Sequence, residues 1–287
     1  MKKSFKIIGL IAINALLLAC KSTTPISYVP QKITGLKMPE SVVQAKDGRI
    51  FVSEIGEFGK DGDGKITLID SNGKASVFAS GLDDPKGLAI VSQYLYVADK
   101  TKVLKITPDG KSSVFVPATA FASMPQFLND LEADPQGNLY VSDSGDLKSG
   151  GAIYKITPDG KASLLINEAK DARIKAPNGL LADDTGEVLI EVDFDSGILY
   201  SYNQKTGALT DLAEGFGGGD GIVHHSNGSM YVSDWKNGKV FSVSAKGDVT
   251  LVKDGYQSAA DIALTKDEKY LMVPDMKAGV LDFIPIK

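Results

Sequence analysis

Six residues of this chain recur in one setting: Glu40, Lys86, Asn129, Asn178, Asp220 and Asp261. Aligned on them, the phrases read Pro39-Glu40-Ser41, Pro85-Lys86-Gly87, Leu128-Asn129-Asp130, Pro177-Asn178-Gly179, Gly219-Asp220-Gly221 and Ala260-Asp261-Ile262. Each phrase precedes a turn and then a strand-like run that ends in an acid. If a fold gathers these side chains, three carboxylates, two amides and one ammonium share one spot. Carboxylates so confined repel one another unless protons or a cation intervene. All-oxygen donors suit a divalent metal such as Ca²⁺, which is expected first, or Mg²⁺ or Mn²⁺.

The intervals between the six residues are 46, 43, 49, 42 and 41. A period of that length built from short strands points to an all-β fold, a six-bladed β-propeller with four antiparallel strands per blade. Within each repeat the apolar residues alternate with period two. The inner strand follows the marker residue. A turn such as Asp47-Gly48 or Asn227-Gly228 leads to a second strand, for example Ile50-Phe51-Val52 or Met230-Tyr231-Val232. Third strands are expected at Val103 to Ile106 and Ala152 to Ile156. Lys105 to Lys111 and Lys155 to Lys161 are the same heptapeptide, and their Pro-Asp-Gly makes a turn into the fourth strand, Pro presetting φ and Gly accepting φ above zero. Repeat six stops after its third strand near Ile284. The segment Ser27 to Ile33 is expected to supply the missing outer strand, because that pairing removes an exposed edge and locks the ring.

This topology places every marker residue at one mouth of a central channel. Loops joining second to third strands open on the same face. Two are long, Ile55 to Gly64 and Ser144 to Gly151, and their glycines suggest mobile rims. Asp61-Gly62-Asp63-Gly64 lacks the twelve-residue spacing and final Glu of a helix-loop-helix calcium site. His224 and His225 are neighbours on a strand, point to opposite faces and cannot form a two-histidine metal site. Both are expected to be structural. Trp235 and Phe58 are either rim contacts for a ligand or packed aromatics.

The chain start is different in kind. Lys2, Lys3 and Lys6 precede an apolar stretch from Ile7 to Leu18 and then Leu17-Leu18-Ala19-Cys20, a secretory pattern. It resembles the bacterial lipoprotein signal, in which the cysteine is acylated; Leu18 departs from the more usual Ala or Ser there. Residues 1–19 are then the signal, 20–26 the lipidated Cys20 with its tether, and 27–287 the propeller. Lys21, rather than Asp, after the cysteine implies the periplasmic face of the outer membrane in a Gram-negative cell. Loss of the three lysines takes the formal charge from −5 to −8. Nucleic acid and anionic lipid surfaces are excluded as partners by that acidity, since both need clustered Lys and Arg. One cysteine allows no disulfide within the chain, and a monomer is expected.

Several phrases together resemble a known family. Pro39-Glu40-Ser41, Leu128-Asn129-Asp130 before Asp134-Pro135-Gln136-Gly137, Pro177-Asn178-Gly179-Leu180, and Asp220-Gly221-Ile222 before Tyr231-Val232-Ser233-Asp234-Trp235 are similar to the senescence-marker-protein/gluconolactonase family of six-bladed propellers. The resemblance implies a metal-dependent lactone hydrolase in which Glu40, Asn178 and Asp220 are ligands and Asn129 is a further ligand or a substrate contact. On that reading Asp220 or Asp261 would be the general base. Lys86 would stabilise the oxyanion or be a solvated rim lysine. Sugar-lactone members carry an arginine two residues before the Asn; Phe127 stands there instead and implies a less polar substrate, or none.

Three function classes remain: a metal-dependent lactonase or esterase of the cell envelope acting on a small-molecule substrate, a non-catalytic propeller binding a protein, peptide or glycan at the same face, and a lyase or strictosidine-synthase-like enzyme. No Gly-x-Ser-x-Gly elbow, phosphate loop or dinucleotide fingerprint is present, so serine-hydrolase, nucleotide and nicotinamide chemistry fall away.

Overall fold

The computed structural model describes residues 32–286. They form six four-stranded antiparallel sheets. The inner strands are Pro39–Gln44, Pro85–Val91, Leu128–Ala133, Pro177–Ala182, Gly219–His224 and Ala263–Leu264. Each adjoins the next and the last adjoins the first, which closes the expected six-bladed propeller around a channel. The closing strand described is Ile33–Thr34, paired with Leu281 and Val280 of the last blade's third strand. It is the end of the segment expected there; residues 27–31, like the expected signal, Cys20 and tether, lie outside the described residues.

The repeated heptapeptide shows how sequence becomes packing. In both copies the Thr N–H donates to the carbonyl of the last Lys, and the Gly N–H donates back to the Thr carbonyl, at Thr107–Lys111 and again at Thr157–Lys161. Gly110 has φ +82°, and a Cβ there would lie 2.2 Å from the Phe78 carbonyl oxygen on the preceding blade's outer strand. Glycine is therefore needed twice over, for the turn and for blade contact.

The two long loops are more tied down than their glycine content suggests. Gly59 N–H donates to Asp84 and Lys100 pairs with Asp61 across the first. In the second, Lys148 and Ser149 N–H groups donate to Asp146, and Gly150 N–H to Glu168.

The core lies between blades, where apolar faces of adjacent sheets meet. Five second strands put a fully buried valine two residues before their terminal acid: Val52, Val97, Val141, Val232 and Val273. Blade four puts Glu191 there. It pairs across the sheet with Leu180 and Tyr200, is fully buried, and neither carboxyl oxygen has a partner. Burial, with the nearby Asp193 adding, raises its pKa well above the ordinary glutamate value. The folded chain keeps this proton while an unfolded one releases it above about pH 4.3. The stability that goes with Glu191 is thus full below that value and is lost as pH rises toward the folded pKa. Glu191→Val is expected to raise stability by about 1–3 kcal/mol near neutral pH, with a smaller gain at about pH 5. Urea unfolding at the two pH values, with equal slopes for both proteins, checks this.

Candidate functional site at the mouth of the channel

Each blade builds the mouth with the same device. The acid ending every second strand (Glu54, Asp99, Asp143, Asp193, Asp234 and Asp275) is buried and accepts backbone N–H groups from the loop that enters the inner strand. The donors are Lys37 to Glu54, Asp83 to Asp99, Phe127 to Asp143, Ala176 to Asp193, Gly218 to Asp234 and Ser258 to Asp275. These loops would otherwise bury unpaired donors, which is costly. In five blades the inner strand then carries one extra residue against its partner, between Pro39 and Val42, Pro85 and Leu88, Leu128 and Leu131, Pro177 and Leu180, and Gly219 and Ile222. A bulge of this kind re-aims a side chain, and the marker residue is the first one inside it. Asp261 stands two residues before the short sixth inner strand.

The bulge frees an N–H one residue after the marker. In blades one, three and five a serine hydroxyl of the second strand accepts it: Ser41 N–H to Ser53, Asp130 N–H to Ser142, Gly221 N–H to Ser233. Ser233 then donates to the Ala260 carbonyl at 2.7 Å, linking blade five to blade six beside Asp261. Gly179 and Gly221 follow their markers because the next inner strand is too close for a side chain; a Cβ on Gly179 would lie 2.2 Å from the Asp220 carbonyl oxygen.

All six marker residues are buried, none more than 9 % exposed. Glu40, Asp220 and Asp261 are brought within electrostatic reach of one another. Desolvation raises all three carboxyls well above the usual range, and their mutual repulsion adds to it. Lys86 is not a solvated rim lysine: it is 2 % exposed, its Nζ lies 4.1 Å from the Phe127 ring centroid, and it donates to the Asp84 carbonyl. Burial lowers its pKa while Glu40 opposes that shift. Phe127 is half-buried and turns its ring to this ammonium. Asn129 donates its amide hydrogen to Ser144 at 3.1 Å, and Ser144 donates to the Pro177 carbonyl, which leaves Asn129 Oδ1 free. Asn178 lies beside the Asp220 carboxylate and opposes the rise in its pKa. One oxygen each of Glu40, Asn129 and Asp220 is buried without any partner.

Two further acids, Asp130 and Glu132, lie within electrostatic reach of Asp261 and escaped the column of markers. Asp130 accepts the Leu180 and Leu131 N–H groups at 2.6 Å each and is pushed up to about 6 by desolvation. Glu132, further down the same strand, is pushed up to about 8 by desolvation, with Asp130 adding. The signal for Asp130 was an acid in a column otherwise filled by Ser41, Gly87, Gly179, Gly221 and Ile262, and for Glu132 an acid where the other blades carry Val43, Ala89, Leu181, Val223 and Leu264.

A second ring surrounds the first. The residue after each terminal acid donates its N–H to the loop entering the inner strand: Ile55 to Met38, Lys100 to Asp84, Ser144 to Phe127, Phe194 to Ala176, Trp235 to Gly218 and Met276 to Ser258. Trp235 is therefore a member of a lip, half-buried, with its Nε1 donating to Met276 Sδ at 3.4 Å. Phe58 is 47 % exposed on the blade-one loop. His224 and His225 end the blade-five inner strand at the opposite face; His225 Nδ1 accepts the Asn227 N–H.

A cavity of about 1090 Å³ opens at that opposite face, bounded by Gln44, Phe51, Tyr94, Glu132 and Lys266 among others, and no marker residue lines it. Its buried Asp134 is fully partnered by Gln136, Asn138 and Tyr140. The orphaned oxygens of Glu40, Asn129 and Asp220 lie instead at the marker end, and burial without a partner is the stronger sign of a ligand. Among the described residues no three His, Cys, Asp or Glu side chains form a metal site on their own. Any ion at the mouth would need the asparagine oxygens beside Glu40 and Asp220.

Six blades around a channel whose mouth gathers buried acids and amides define the class, a β-propeller with an acidic, oxygen-rich mouth. Residues 90–273 match the SMP-30/gluconolactonase/LRE-like region, and the chain belongs to that family. Asn129, Asn178, Asp220 and Asp261 fall within the matched stretch; Glu40 and Lys86 precede it. Among solved structures, a gluconolactonase from Xanthomonas campestris is similar at 15% identity with a TM-score of 0.70, covering 88% of this chain and 89% of that one. A virginiamycin B lyase from Staphylococcus aureus is similar at 12% identity and TM-score 0.64, covering 90% and 99%. A chain of a nidogen/laminin complex is similar at 19% identity and TM-score 0.65, covering 77% and 82%. At such identities the likeness is one of fold. No curated protein sequence matches the chain.

Ser233 makes two buried bonds, one within blade five and one from blade five to blade six. Ser233→Ala is expected to cost about 1–3 kcal/mol by orphaning the Gly221 N–H. The check is a lower urea midpoint with an unchanged slope.

Proposed function

We propose that this propeller is a divalent-metal-dependent hydrolase of lactones or esters, with Glu40, Asn129, Asn178 and Asp220 holding the ion. The observation that carries this reading is the set of three buried, unpartnered oxygens on Glu40, Asn129 and Asp220. Such groups are rare in folded proteins unless a ligand completes them. Two carboxylates and two amide oxygens form a hard donor set, suited to Ca²⁺ first and to Mg²⁺ or Mn²⁺ next. Family membership agrees with a small-molecule substrate.

Bound there, the ion would polarise a carbonyl and lower the pKa of a water. The chain's own groups supply the rest. Ser144 holds the Asn129 amide by its nitrogen and leaves the oxygen free for an ion, and Asn178 would favour the ionised form of Asp220. Asp261 receives the Ser41 hydroxyl hydrogen on Oδ2 at 2.5 Å, so its Oδ1 is the oxygen left to accept a proton from the attacking water; Asp220 is the other candidate for that role. Lys86 has N–H groups beyond the one given to Asp84, and a buried ammonium at the edge of the ring would stabilise developing negative charge. Burial of the whole ring strengthens each of these interactions.

Glu40→Gln and Asp220→Asn are each expected to lower divalent-ion affinity at least about tenfold and to abolish turnover, with the fold retained. Calorimetric titration with Ca²⁺ and Mn²⁺, alongside hydrolysis of a panel of lactones and aryl esters, checks both. A wild-type chain that takes up no divalent ion at millimolar supply contradicts the proposal. Metal uptake without hydrolysis favours a structural ion and a binding propeller.

The proposal extends to the chain's address. Acylation of Cys20 would tether the propeller to the envelope, at the periplasmic face of the outer membrane in a Gram-negative cell. Incorporation of labelled palmitate is expected for the wild type and lost in Cys20→Ala.

A further inference from the structure

The outer ring of the mouth is sided. Blades four, five, six and one contribute Phe194, Trp235, Met276 and Ile55, and blades two and three contribute Lys100 and Ser144. All six are fixed at one lip by the same backbone bond to the loop entering the inner strand. The apolar members touch: Ile55, Ala260 and Met276 are buried and form the backing against which half-buried Trp235 and Met38 pack, and the rings of Trp235 and half-buried Phe194, with centroids 6.1 Å apart, are the surface presented. Ala260 precedes Asp261, and Met38 lies two residues before Glu40, so this wall borders the acidic side of the ring. The polar side borders Lys86 and Asn129.

We propose that this wall is the subsite for the apolar body of the substrate, an acyl chain or aryl group of an ester or lactone, and that it selects against polyhydroxylated sugar lactones. The inference rests on the hydrolase reading and names its substrate class. The aromatic faces are available at small cost. Lys277 Nζ lies 4.1 Å from the Trp235 ring centroid and Lys236 Nζ 4.3 Å from that of Phe194. Both lysines are exposed, where such cation–ring contacts are weak, so a ligand can displace them. On the other side of the mouth Phe127 turns its ring to Lys86 and offers no side-chain hydrogen-bond donor to a sugar. A polyol laid on this wall would give up water from hydroxyls that find no partner there; an apolar surface rejects a single added hydroxyl only modestly, and the discrimination grows with the number of hydroxyls desolvated.

Trp235 is the chain's only tryptophan, so its fluorescence reports this wall alone. The full chain is titrated with phenylacetate and hexanoate, stand-ins for the acid products, and with gluconate. A saturating change in emission is expected with the first two and none with gluconate. Phe194→Ala, which keeps the reporter, is expected to weaken the apparent affinity about tenfold or more. No change with either apolar acid, an equal response to gluconate, or unaltered affinity in Phe194→Ala overturns the inference. The readout needs neither metal nor turnover, so the two readings fail separately: hydrolysis without an emission change sinks the subsite alone, and an emission change in a chain that binds no divalent ion sinks the hydrolase alone.

Discussion

The mouth of this propeller depends on one interaction made six times, a buried acid at the end of a second strand accepting backbone N–H groups from the loop beside it. The same meeting lets the residue after the acid return its own N–H to a carbonyl of that loop. The loop is thereby held at two points, and the chain enters the inner strand at a defined angle. Without that anchorage the bulge that follows would have no reason to keep its register, and the marker side chains would not share a direction. A charged acceptor suits the task because hydrogen bonds to it are about twice as strong as neutral ones.

What the anchorage positions is electrostatically unfavourable by itself. Glu40, Asp220 and Asp261 repel at close quarters, with Asp130 and Glu132 behind them and Lys86 as the one marker cation. The protein pays for this with protons unless a cation takes their place. A fold that holds acids together in the absence of any packing benefit stores the means of binding one. Glu191 is a separate case, since it lies between blades three and four, away from any donor, in a column where valine serves elsewhere.

Much of the architecture was legible in the sequence because it repeats. Six markers at intervals of 41 to 49 residues count the blades, and identical heptapeptides show that two blades share a turn. The last blade's borrowed strand followed from an edge with no partner, although its described pairing is limited to Ile33–Thr34. The terminal acids were visible as a column and still gave no hint of their role, because a carboxylate that accepts backbone N–H groups looks in sequence like one that binds a ligand. Lys86 looked like a candidate for solvent for a related reason: burial of an ammonium over Phe127 depends on a contact between blades two and three. Asp130, Glu132 and Glu191 were missed because each is an exception within a column, and only alignment of the blades in space shows what the other members do.

The central claim is that the orphaned oxygens of the ring complete the shell of a divalent ion. A crystal grown with Mn²⁺ and measured for anomalous scattering tests it most directly. The account predicts a single strong peak about 2.0–2.6 Å from oxygens of Glu40, Asn129 and Asp220. An empty ring, or a peak only among the loop acids Asp61 and Asp63, would contradict it.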